Sequence, residues 1–149
     1  MKKVLLVVTL VLGTLVSNAQ LKEVTHLKVL GKVDRVGTEV VSIEFGTKGN
    51  YILSYHDSYY FIMYNAYRIN TIEFTADDVE LTTIIDMFKT QCKAEKGSEK
   101  EFGLGDNIFK IETQRAFGRS GLKVWVTGAD HKTGYFSLLE SDIDKLFGK

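Results

Sequence analysis

The stretch VSIEFGTKGNYILSYHDSYYFIMYNAYRINTIEFT, residues 41–75, sets the reading of the whole chain. Val41, Ile43 and Phe45 alternate with Ser42 and Glu44, the period of two that turns one face of a strand to a core and the other to water. Residues 46–50 form a turn cluster built on Gly46, Gly49 and Asn50. Residues 51–55 and 59–65 read as the next two strands, joined across His56, Asp57 and Ser58, and residues 68–75 as a further strand with Ile72 and Phe74 on one face. Connections this short cannot carry a parallel crossover, so the strands form an antiparallel meander.

Downstream the period changes. Leu81, Ile84, Ile85, Phe88 and Cys92 fall at helical spacing and make one apolar stripe. Thr75 is placed to cap that helix, Asp77 and Asp78 suit the positive end of its dipole, and Lys89, Lys93 and Lys96 suit the negative end. The helix is expected to end within residues 93–97, followed by a charged loop over residues 95–107. Phe109 and Ile111, then Leu122, Val124 and Val126, resume the alternation, with turns at residues 118–121 and 128–134 and a short strand at 135–137. Ser141 is placed to cap a closing helix whose Ile143, Leu146 and Phe147 form its apolar face, and Gly148 stops it. Upstream, Val24, Leu27, Val29 and Val33 fit either a first strand or an irregular arm. Strands, helix, strands, helix is an α+β order. The expected fold is an antiparallel β-meander sheet packed on one face by the long helix, with further β-hairpin strands and a short C-terminal helix.

The first 19 residues have the three parts of a secretory signal: Lys2 and Lys3, an apolar run over residues 4–16, and Ser17-Asn18-Ala19 before Gln20. Thirteen helical residues reach only about 20 Å, short of the roughly 30 Å hydrocarbon core, so cleavage rather than anchoring is expected. Residues 20–149 then make a single domain, long enough to fold on its own core. The mature part keeps 17 basic and 19 acidic side chains, a balance of −2, which gives no electrostatic footprint for nucleic acid and none for stable membrane insertion after cleavage. The lone Cys92 excludes an internal disulfide, and with no proline in the chain its turns fall to Gly, Asn, Asp and Ser.

The leader ending in Ser17-Asn18-Ala19-Gln20, the Tyr-rich stretch, and Gly134-Tyr135-Phe136-Ser137-Leu138 running on to Asp144-Lys145-Leu146-Phe147-Gly148-Lys149 resemble small exported proteins of unknown function from Bacteroidota. The resemblance implies export to the periplasm or beyond a bacterial cell. It carries no chemical motif and implies no activity.

Residues that bear on catalysis do not assemble. His56, Asp57 and Ser58 are adjacent, and adjacent side chains in a turn point apart, whereas a triad needs them to converge. His26, His56 and His131 lack metal-ligand spacing, and Glu140, Asp142 and Asp144 read as a solvated helix start rather than a metal site. Gly103-Leu104-Gly105-Asp106 precedes a strand, not a helix, and is a turn rather than a phosphate loop. Cys92 sits on the apolar stripe and reads as a small core residue. No nucleotide, flavin, nicotinamide or haem motif is present, so no cofactor is expected.

The unusual feature is aromatic: Tyr51, Tyr55, Tyr59, Tyr60, Phe61, Tyr64 and Tyr67 fall within 17 residues. With a three-residue loop at 56–58, Tyr55 would pair with Tyr59, and Tyr51, Leu53, Phe61 and Met63 would face the core. Tyr60 and Tyr64 would then stand on the outer sheet face with Ile52 and Ile62, and Trp125 alternates away from Leu122, Val124 and Val126. Tyr60, Tyr64 and Trp125 are therefore the candidate binding residues, a platform for a protein or glycan partner. The function expected on these grounds is a non-enzymatic exported binding module. A small exported hydrolase and a homo-oligomeric envelope component are the alternatives. Export makes a direct prediction: mass spectrometry of the protein from its native host should find Gln20, free or cyclised, at the N-terminus, and an intact Met1 in a membrane fraction would overturn it.

Overall fold

The computed structural model describes residues 27–149 apart from Lys48 and Phe117. The leader, Val24 and His26 lie outside the described residues. The first half contains β1 (Lys28–Arg35), β2 (Thr38–Phe45), β3 (Asn50–His56), α1 (Ser58–Tyr64), β4 (Ile69–Thr75) and α2 (Asp78–Lys93). The second contains β5 (Glu99–Leu104), β6 (Asn107–Ala116), β7 (Arg119–Thr127), β8 (Thr133–Leu139) and α3 (Glu140–Leu146). The strands form two four-stranded antiparallel meanders, ordered β1-β2-β3-β4 and β5-β6-β7-β8, each followed by a helix. The fold is α+β, and the residues that begin the described chain form a strand rather than an irregular arm.

Most alternating residues go where their period sends them, although in β2 Phe45 is exposed and Ser42 is buried. Val41, Ile43, Leu53, Tyr55, Ile72 and Phe74 from the first sheet are buried in one cluster with Phe109, Ile111, Leu122, Val124, Val126 and Phe136 from the second. The stripe of α2 closes this cluster, burying Ile84, Ile85, Phe88 and Cys92. Phe88 meets Phe102 and Phe147 edge-on, with ring centroids 6.2 and 5.9 Å apart. Gln91 joins the stripe because its amide has partners: Nε2 donates to the Ser98 carbonyl at 2.8 Å and to Thr113 Oγ1 at 3.1 Å, while Thr113 Oγ1 donates to the Gln91 carbonyl at 2.7 Å. Burial pushes the Cys92 thiol up to about 11, with the Glu140 charge adding to it, so this sulfur is a neutral packing group at physiological pH.

Five expectations need correcting. The long helix packs most closely not on the first meander but on β6 and β7, the expected further hairpin strands, which form a second sheet with β5 and β8. The charged segment expected as a loop contains β5, whose Glu99 and Glu101 are solvent-facing while Phe102 stacks on Phe109 at 5.3 Å. Residues 59–65 are not a strand: β3 pairs with β4, His56 opposite Ile69, and α1 is an excursion between the two strands of that hairpin. The cap of α2 is Asp77 rather than Thr75, in a reciprocal box: Asp77 Oδ1 accepts from the Val79 and Glu80 amides, and Glu80 Oε2 accepts from the Asp77 amide. Asp142 is buried rather than solvated. The N-cap position of α3 is Leu139 rather than Ser141, and Asp142 Oδ2 reaches back to accept from the Leu139 amide at 2.8 Å and accepts from Arg35 at 2.9 Å.

A glycine in β1 lets that strand pass close to the end of α3. A Cβ on Gly31 would overlap the Lys145 and Leu146 carbonyls at the end of α3, so only hydrogen allows the strand to cross there. Phe88 is the sharpest test of the core. Phe88→Ala should remove roughly 3–5 kcal/mol of unfolding free energy by leaving a cavity between the helix and two aromatic rings, read as a lower urea midpoint at unchanged slope.

Candidate functional site

A buried carboxylate organises the surface that carries the aromatic residues. Asp57 follows β3, and its residue is 2% exposed. Its Oδ1 accepts from the backbone amides of Tyr59 at 3.0 Å, Tyr60 at 3.1 Å and Tyr135 at 3.4 Å. Its Oδ2 accepts from Asn70 Nδ2 at 3.0 Å and from the Arg68 guanidinium. The first two bonds start α1, because Asp at the N-cap satisfies helix amides that have no carbonyl partner. The others fasten the helix start to β4 and to β8, across both sheets. Gly134 makes the approach possible: a Cβ there would stand 2.5 Å from Asp57 Oδ2. Tyr55, beneath the cluster, accepts from Asn70 at 3.2 Å through its hydroxyl. Burial, opposed by that hydrogen bond and assisted by the Asp57 charge, pushes the Tyr55 phenol up to about 12.

From this anchor α1 projects with no buried residue. Tyr59 leans towards Trp125, with ring centroids 6.1 Å apart, and Trp125 meets Tyr135 at 4.7 Å. On the other side the Arg68 guanidinium lies 4.3 Å above the Tyr60 ring, which in turn is 4.6 Å from Tyr64. Phe61 meets Tyr67 at 5.0 Å, and Tyr67 meets His56 at 6.0 Å. Asn65 ends the helix in the left-handed region, at φ 50°, with its amide donating to the Phe61 carbonyl at 2.8 Å, a conformation Asn tolerates.

The three predicted binding residues therefore share one surface but not one sheet face. Tyr60 and Tyr64 are on the helix, Trp125 is on the outer face of the second sheet, and Tyr59 bridges them. Tyr64 is 64% exposed, whereas Tyr60 is half-buried under Arg68 and Trp125 is half-buried among lysines. Lys123 Nζ stands 4.3 Å from the Trp125 centroid and 4.2 Å from that of Tyr135, and Lys110 Nζ stands 5.8 Å from Trp125 while pairing with Glu99 at 3.2 Å. Among the described residues Trp125 Nε1 is buried without a hydrogen-bond partner. Phe61 and Met63, expected in the core, are instead 40% and 58% exposed, and Ile62, Tyr67 and Ile69 are exposed with them. One local hint of a helix start was present in the sequence, Asp57 as a capping residue.

The remaining chemistry is spread out. Asp57 accepts from Tyr59, Tyr60, Arg68, Asn70 and Tyr135, and not from His56, so the adjacent His-Asp-Ser residues form no relay. No group of three or more His, Cys, Asp or Glu side chains suited to a metal ion occurs among the described residues. A cleft of about 720 Å³ runs beside β4, with Glu73, Asp106 and Asp130 on its walls. Asp130 there is paired with Lys132 at 2.6 Å, and the hydrogen bonds from Lys132 hold its carboxyl below the usual range.

The Asp57 cluster should behave as one unit. Asp57→Ala strands Arg68 and Asn70 and uncaps α1, so the loss expected is about 3–5 kcal/mol, the range for breaking a buried ion pair. Gly134→Ala should act in the same direction by displacing the carboxylate. Hydrogen exchange should then show faster exchange at the Tyr59 and Tyr60 amides in both variants, and unchanged exchange there would refute the role.

No known protein family, no curated protein and no solved structure matches the chain.

Proposed function

We propose that the protein is an exported, non-enzymatic interaction module that docks a protein partner through α1 and the aromatic residues beside it. The observation that carries this reading is the helix itself. Seven residues fold into α1 without burying one of them, and Phe61, Ile62, Met63 and Tyr64 stand exposed together. Such a helix places none of its residues in its own domain's core, and a cluster of large exposed hydrophobic side chains of this kind is the mark of an interaction site. The Asp57 bonds present it preformed, which lowers the ordering cost of association. Export rests on the leader residues Lys2, Lys3 and Ser17-Asn18-Ala19 and on the resemblance they share with Bacteroidota proteins.

The cations favour a protein over a glycan. Sugar stacking needs a free aromatic face, and Lys123 lies over both Trp125 and Tyr135. Phe61, Ile62 and Met63 of α1 are exposed with no hydrogen-bonding group in their side chains, which suits an apolar protein surface. The test is a photo-crosslinking residue, p-benzoylphenylalanine, placed in the producing cell at Tyr64, at Tyr67, or at the exposed Val79 on α2 as control. A discrete protein adduct from positions 64 and 67 and none from 79 is expected. No adduct from α1, or the same adducts from all three positions, would overturn the reading.

A further inference from the structure

We infer that the partner seated on α1 is a second copy of this chain, joined across a two-fold axis, an inference that rests on the docking reading above. Charge is the first argument. Residues 58–67 contain no Asp, Glu, Lys, Arg or His, in a chain that is 26% charged. On a two-fold axis the residues nearest the axis meet their own copies, where a charge would face its own sign, and an uncharged stretch can lie there without that cost. The nearest cation by sequence, Arg68, is held by Asp57 and stacked on Tyr60.

Area is the second argument. Phe61, Ile62, Met63, Tyr64, Tyr67 and Ile69 are exposed by 40–76%. With large aromatic side chains offering roughly 150–250 Å² each, Phe61, Tyr64 and Tyr67 present on the order of 350 Å² at these exposures, and Ile62, Met63 and Ile69 extend the ridge towards the share of about 800 Å² that one partner gives to a stable interface. A lipid surface fits less well. Interfacial helices pair an apolar face with a Lys/Arg-rich one, and α1 has neither cation. The mature chain's balance of −2 gives no attraction to anionic headgroups.

The experiment is sedimentation velocity on the protein purified as its host produces it, over a dilution series, alongside Ile62→Glu, Tyr67→Glu and Ile62→Lys. Both target residues are exposed, by 68% and 76%, and circular dichroism and the melting temperature check that each variant folds. The unaltered protein should sediment as a dimer. Each variant should be a folded monomer, its dimer dissociation constant raised about 100-fold or more by like charges across the axis. Mixing Ile62→Glu with Ile62→Lys should restore dimers. An unaltered protein that stays monomeric while position 64 crosslinks to a different protein overturns the second copy and leaves the docking reading standing. A monomer that crosslinks to nothing overturns both, and so does a monomer that co-sediments with phosphatidylcholine vesicles and forms no protein adduct. A dimer that survives both Glu variants has its interface elsewhere and overturns the inference.

Discussion

A carboxylate cannot be taken out of water without partners, and Asp57 is the point from which this constraint spreads through the molecule. Burying an unpaired carboxylate carries a penalty of several kcal/mol, so its oxygens draw donors from wherever the chain can bring them. Here those donors come from the first turn of α1, from β4 and from β8. The requirement joins three consecutive elements of one sheet to a strand of the other. It also makes a glycine necessary at position 134, where any side chain would occupy the carboxylate's place. Arg35 with Asp142 repeats the device at the other end, joining β1 to the start of α3. The two sheets are thus held together by the apolar core, by the Tyr135 amide on Asp57, and by Arg35, which reaches the Ser137 carbonyl as well as Asp142.

The same cluster explains why an apolar helix stands on the surface. The β3–β4 hairpin is complete without α1, since His56 pairs with Ile69 and the ladder runs down to Asn50 and Thr75. The intervening residues have no place in the sheet, and the core is already filled by Tyr55, Leu53, Ile72 and Phe74. What they have is an N-cap, a left-handed Asn65 to end on, and the ring contacts of Tyr59 with Trp125 and of Tyr60 with Arg68. A helix built on those terms is rigid at its start and apolar on its outer side, which is the combination a docking surface requires.

Much of the fold was legible from periodicity. β2 departs from it, with Phe45 exposed and Ser42 buried. The stripe of α2 and the alternating residues of β3, β4, β6 and β7 are buried as their spacing implies, because each of these segments has one apolar side and one polar side and only one way to satisfy both. Trp125 stands outside its sheet for the same reason. β5 was hidden because its exposed side carries Glu99 and Glu101 and only Phe102 and Leu104 pack against the core, too few residues to outweigh the charges. Asp142 read as solvated because acids at a helix start need no partner to be favourable; Arg35, 107 positions away, supplied one.

The candidate surface divides along the same line. By itself the sequence determined that residues 51–67 are the aromatic centre of the chain, that Trp125 alternates away from the core side of its strand, and that Cys92 stands within the core. Only the tertiary structure decided that Tyr60, Phe61, Met63 and Tyr64 belong to a helix rather than a strand. Periodicity works by contrast between faces, and residues 59–64 are apolar on every side, so neither a period of two nor one of 3.6 separates the alternatives. The choice was made by hydrogen bonds distant in sequence. β3 took β4 as its neighbour, Asp57 was enclosed by Arg68, Asn70 and Tyr135, and the segment between was left to close its own backbone bonds as a helix.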